Sequence, residues 1–154
     1  MTLNQIVKRI KAIAEAHEQI NTFVFGDIDD ALRLDIVYPA CFMPYPSESI
    51  SSVDDTMAAS LFFMDRTVQG GSETDKTYNE LEVTSDMREV AKDIFAQLLY
   101  QKYNPIWNVL KDCTITLTNE NELDYLAGAQ LSFTIKLPYI ADRCAVPTNY
   151  NYGT

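Results

Sequence analysis

Histidine is almost missing from this 154-residue chain: His17 is the single one. Zinc sites usually collect His and Cys at short spacings, and Ser-His-Asp or Cys-His sites need an imidazole base, so either chemistry would have to be built on His17. That residue continues the apolar spacing of the first helix, the setting of a partly buried structural histidine. Cysteine is scarce too. Cys41, Cys113 and Cys144 lie far apart, form no C-x-x-C pair and leave one thiol over in a monomer, which argues against a disulfide framework. With five glycines, the chain has no G-x-G-x-x-G and no G-x-x-x-x-G-K-[ST]; G-x-S-x-G and H-E-x-x-H are missing as well. No catalytic residue, cofactor or metal site is expected.

Positive charge is also short. Twelve Lys and Arg face 22 Asp and Glu, a net charge of -10 and a pI near 4.4. Grip on a phosphate backbone comes from Lys and Arg displacing counterions, so sequence-specific DNA binding is disfavoured. No apolar run approaches the ~20 residues of a membrane-spanning helix. The opening MTLNQIVKRIKAIAEAHEQ scatters charge where a signal peptide has a continuous apolar segment, so the chain reads as soluble and not secreted. What is present is an ordinary globular mixture, 47% apolar and 22% charged, with nine Tyr, seven Phe and one Trp. That suits one domain.

Thr2 and Gln5 fit a capping box, and Ile6, Ile10, Ile13, His17 and Ile20 follow one helical face, predicting a helix over 3–19. Thr22 to Phe25 reads as a short strand stopped by Gly26-Asp27. Leu32 to Met43 alternates like a half-buried strand, and Pro39 predicts a sheet edge or a bulge there, with the sheet incomplete on that side. Residues 44–55 gather Pro, Ser and Asp into a loop. Thr56 to Arg66 is a further strand, antiparallel to the previous one. Residues 67–80, with Gly70-Gly71, read as a long mobile loop. Ser85-Asp86 reads as the N-cap of a second helix, whose stripe Met87, Val90, Ala91, Ile94, Phe95, Leu98 and Leu99 is expected to cover one face of the sheet. Cys113 to Thr118 and Ala127 to Leu137 alternate as strands. The order predicts an α+β domain over 1–137, a largely antiparallel sheet with two amphipathic helices packed on it, followed by an extended arm over 138–154.

Asp27, Asp29 and Asp30 suit a hard cation, but the twelve-residue EF-hand pattern is missing and a solvated turn accounts for them. An enzyme with an unfamiliar carboxylate site there is one rival reading. Asp65-Arg66 ends a strand and invites a local or intersubunit ion pair worth ~0–1 kcal/mol. The arm carries Tyr139, Tyr150 and Tyr152 outside any core, and tyrosine is enriched at interfaces. Interface candidates are therefore Tyr45, Asp65, Arg66, Gly70, Gly71, Tyr139, Arg143, Tyr150 and Tyr152.

Several segments together look familiar: FVFGDIDDALRLDIVYPACFM, SLFFMDR, NELEVTSDMREVAKDIFAQL and ELDYLAGAQLSFTIKLPYIADRCAVP. As a set they resemble small structural proteins of tailed phages, particularly those of Bacteroidetes phages, with the layout of tail-terminator and neck (head-to-tail connector) ring proteins. The resemblance spans the chain from the first helix to Pro147. It implies a tail-terminator-like fold and a non-enzymatic virion component without cofactor. Such a protein forms a homo-oligomeric ring of six or twelve subunits that joins the portal complex to the tail and lines the DNA exit channel. Its partners would be portal, neck and tail proteins and DNA that passes without specific binding, with no membrane contact. Its location would be the virion, and the host cytoplasm during assembly. The ten surplus negative charges would help DNA slide through such a channel, or serve solubility alone. The alternative is a small monomeric binding module that docks one partner through an exposed strand edge.

Overall fold

A computed structural model describes residues 2–27, 35–67, 73–100, 107–118, 126–138 and 147. Helix α1 spans Leu3–Glu15 and starts with the predicted box: the Gln5 N–H donates to Thr2 Oγ1 at 3.3 Å and the Thr2 N–H to Gln5 Oε1 at 2.8 Å. It ends at Glu15 rather than near residue 19. The Gln19 N–H donates to His17 Nδ1 at 3.2 Å, so a side chain has taken a donor that continued helix would need.

Six strands follow: β1 (Thr22–Phe25), β2 (Ala40–Met43), β3 (Ser47–Ile50), β4 (Asp54–Arg66), β5 (Asn108–Thr118) and β6 (Leu126–Pro138). Helix α2 (Glu73–Leu99) connects β4 to β5. The sheet order is β1-β2-β4-β6-β5, with β3 beside β2 along the same flank of β4. Only the β1–β2 pairing is parallel among these strands. The fold is α+β, as the alternation predicts.

Several expectations about the strands need correction. Of the strand expected over 32–43, residues 32–34 lie outside the described residues, 35–39 are not paired as strand, and the strand runs Ala40–Met43. Pro39 has no N–H to give a ladder, and the carbonyls around it are taken elsewhere: the Asn21 side-chain amide donates to Tyr38 O, the Asn21 N–H to Pro39 O and the Thr22 hydroxyl to Val37 O, each at 2.8 Å. The β2 strand is not at an edge, because β1 covers that side, and all four of its residues are buried. The 44–55 segment is not only loop, since β3 pairs with β4 and a Ser51 turn joins them, its hydroxyl accepting from the Asp54 N–H at 3.0 Å.

Helix α2 begins at Glu73, so Ser85-Asp86 lies inside it and the 67–80 segment is partly helical. The Thr84 hydroxyl donates back to the Glu80 carbonyl at 2.6 Å, which satisfies it within the helix, and buried Val83 extends the apolar stripe upstream of Met87. At ~1.5 Å per residue its 27 residues reach about 40 Å, close to the 13 residues of β4 and β6 at ~3.3 Å each. The helix is thus about as long as the two central strands. Strand β5 also starts earlier than expected, at Asn108, with a bulge between Val109 and Cys113.

The main core lies between the helices and one sheet face: Ile6 and Ile10 of α1 and Val90, Ile94 and Leu98 of α2 pack with Cys41, Met43, Leu61, Phe63, Leu131 and Ile135. A smaller cluster occupies one end of the opposite face, where Ile36, Ala40, Phe42, Met64 and Leu126 gather with Val24, Tyr38 and Phe62.

Candidate functional site

Strand alternation and register decide what the rest of that opposite face presents. Ser47 and Ser49 of β3, Thr56, Ala58 and Ser60 of β4, Gln130, Ser132 and Thr134 of β6, and Thr114 and Thr116 of β5 share it. No described helix covers this surface. Ser60 and Ser132 hydroxyls lie 3.3 Å apart, and the Gln130 amide donates to Ser60 at 3.4 Å and Ser132 at 3.5 Å. An open trough of about 530 Å³ runs across it, with Tyr45 and Ser47 on one wall and Asp112 and Thr114 on the other. Charge there is sparse: Lys136 Nζ sits 3.2 Å from Asp54 Oδ2, and Asp112 stands at the far wall. The face is hydroxyl-rich and nearly uncharged. Its polar strand positions were readable from the alternation of β6; that β3, β4 and β5 complete it was not.

Tyr45 is 70% exposed, and Phe25 meets its ring edge-on at 4.8 Å between centroids. At the end of β4 the Arg66 backbone N–H donates to Asp65 Oδ1 at 2.8 Å, while the Arg66 guanidinium lies over the Tyr38 ring at 5.1 Å. The side chains of this pair therefore point to different neighbours. Burial pushes the Asp65 carboxyl above its usual range and the Asp86 charge on α2 adds to this, against the lowering effect of the Arg66 N–H. Gly70, Gly71, Tyr139, Arg143, Tyr150 and Tyr152 lie outside the described residues, as do Asp29, Asp30 and Cys144.

His17 is mostly buried at the boundary of α1 and α2. Its Nδ1 accepts from the Gln19 N–H, so Nε2 carries the hydrogen donated to Asp93 Oδ2 at 3.0 Å, which ties the two helices. Cys41 is buried and its thiol is pushed far up by burial. Burial, then the Asp112 charge, also raises Cys113. Neither thiol is activated as a nucleophile. Among the described residues no three His, Cys, Asp or Glu side chains gather to hold a metal, and no helix is long and apolar enough to cross a membrane.

One pair escaped sequence reading. Glu48 of β3 and Asp55 of β4 meet on the helix side of the sheet, and a hydrogen bond to Asp55, slight burial and the Asp55 charge all raise the Glu48 carboxyl. Asp55 Oδ1 is buried without a hydrogen-bond partner. A carboxyl raised by folding binds its proton more tightly in the folded state, so its contribution is fullest below the ordinary glutamate value and is lost as pH rises through the raised one. Glu48→Gln is therefore expected to raise the urea midpoint at pH 7 and to flatten the loss of stability between mildly acidic and neutral pH. An unchanged pH profile in the variant would show that the two carboxyls do not interact.

Among the described strands three edges are open: the outer sides of β1, β3 and β5 pair with no described strand, and exposed Leu117 lies on the β5 edge. Set against known proteins, the chain matches no family model and no curated protein.

Proposed function

We propose that this chain is a structural, ring-forming subunit of a tailed-phage neck or tail terminus, joining the portal complex to the tail and lining the channel through which DNA leaves. The observation that supports it best is the two-sided sheet, with helices on one face and a hydroxyl-rich, nearly uncharged surface on the other. Turned towards a channel, such a face offers phosphates few cations to bind, and a chain with net charge -10 adds a repulsive field. The helices would then form the outer layer. The subunit acts by fit and needs no bond-making chemistry; it is a virion protein that passes through the host cytoplasm during assembly.

Imaging of phage particles with and without the protein tests this. Particles lacking it are expected to accumulate as filled heads and unattached tails, with a six-fold or twelve-fold ring missing from the junction. Intact infectious particles without it would overturn the reading. The open β5 edge also suits a small monomeric module that binds one partner by strand addition. Light scattering separates the two, because such a module stays monomeric alone and with portal or tail proteins.

A further inference from the structure

We infer that copies of this chain join edge to edge, β5 of one against β1 of the next, so that the sheet continues from subunit to subunit. The inference deepens the ring reading above by naming its contact. Exposed edges are normally blunted by charge, proline or a bulge. In β5 these devices are confined to one end: the bulge holds Lys111 and Asp112, and the stretch Cys113–Leu117 beyond it is uncharged and rich in β-formers. The β1 edge, Thr22–Phe25, has no charge or proline either.

Register places these two unprotected edges at the same height. One row across the sheet reads Leu117, Ala129, Phe63, Cys41, Phe23, and the next reads Thr116, Gln130, Phe62, Phe42, Val24. Laying one sheet beside the next without a shift brings half-exposed Leu117 against Phe23 on the helix side and exposed Thr116 against Val24 on the open side. Strand direction fits as well. The pairings make β1 and β5 run in opposite senses, so copies related by rotation about an axis along the strands meet antiparallel. The contact is head-to-tail, using a different surface on each partner, which is the kind that closes rings.

Paired cysteines in the full chain test this, with Cys113 and Cys144 replaced by alanine. Residues directly opposite across an antiparallel junction hold Cβ atoms ~4.5–5.5 Å apart, near enough for a disulfide after small adjustment. Under a copper–phenanthroline oxidant, V24C/T116C is expected to give a ladder of covalent multimers, while V24C or T116C alone gives none. Thr116→Lys in the otherwise unchanged chain is expected to keep its circular dichroism and melting temperature but to shift light scattering to the monomer mass. Multimers in light scattering without a ladder would overturn the edge contact and leave the ring reading standing. Covalent dimers from T116C alone would replace it by a β5–β5 contact. Monomers at every concentration would also overturn it, and particle imaging would then decide the ring reading separately.

Discussion

Gly128→Ala is expected to lower stability by about 3 kcal/mol, at the upper end of the range for overpacking, and the melting temperature by roughly 6–12 °C for a chain of this size. Gly128 lies within β6, opposite Met64 of β4 and Thr118 of β5. A Cβ there runs into the backbone carbonyl of Phe63 and crowds Met64 Cα. Main-chain atoms in the middle of a sheet cannot rotate away, so the ladder between β4 and β6 has to open or shift. Both strands carry the central core, and opening them there disturbs Phe63 as well. Thermal melts followed by circular dichroism measure the effect. A variant melting within 2 °C of the parent would mean the strands do not approach so closely.

Two neighbouring phenylalanines offer the second large effect. Phe63 is fully buried on the helix side of β4, and Phe62, one residue earlier, is half-buried in the small cluster on the other face. Phe63→Ala is expected to cost about 3–5 kcal/mol, because it removes a fully buried aromatic ring from the main core and leaves a cavity there. Phe62→Ala is expected to cost about 1–2 kcal/mol, since part of its ring already meets solvent. Urea unfolding with an unchanged m-value checks both. A typical domain holds only ~5–15 kcal/mol, so Phe63→Ala threatens folding while Phe62→Ala does not. Equal losses would show that the two faces are buried alike and that the second cluster is a core in its own right.

The open face and the open edges were legible to different degrees. The hydroxyls of β6 follow from strict alternation, because Gln130, Ser132, Thr134 and Lys136 interleave with Leu131, Phe133 and Ile135. The Glu48–Asp55 pair was not legible, since its members stand seven positions apart in the chain and only the Ser51 turn brings them onto facing strands. Ser85-Asp86 misled for a related reason. A Ser-Asp pair reads as a cap when its neighbours are unknown, but the apolar stripe continues upstream through buried Val83, and packing of that stripe carries the helix past the pair.

Periodicity is a property of residues two to four apart, so the α+β class, the Thr2 cap, β1, β6 and the apolar stripe of α2 were written locally and could be read from the chain. Strand partnership is a contest among distant segments, settled by which pairings bury the most apolar surface while satisfying the backbone. That contest placed β2 inside the sheet beside a parallel β1, recruited β3 from an apparent loop, and left β1 and β5 as level edges with no outer partner among the described residues. None of these outcomes has a local signature, because each depends on residues at the other end of the fold.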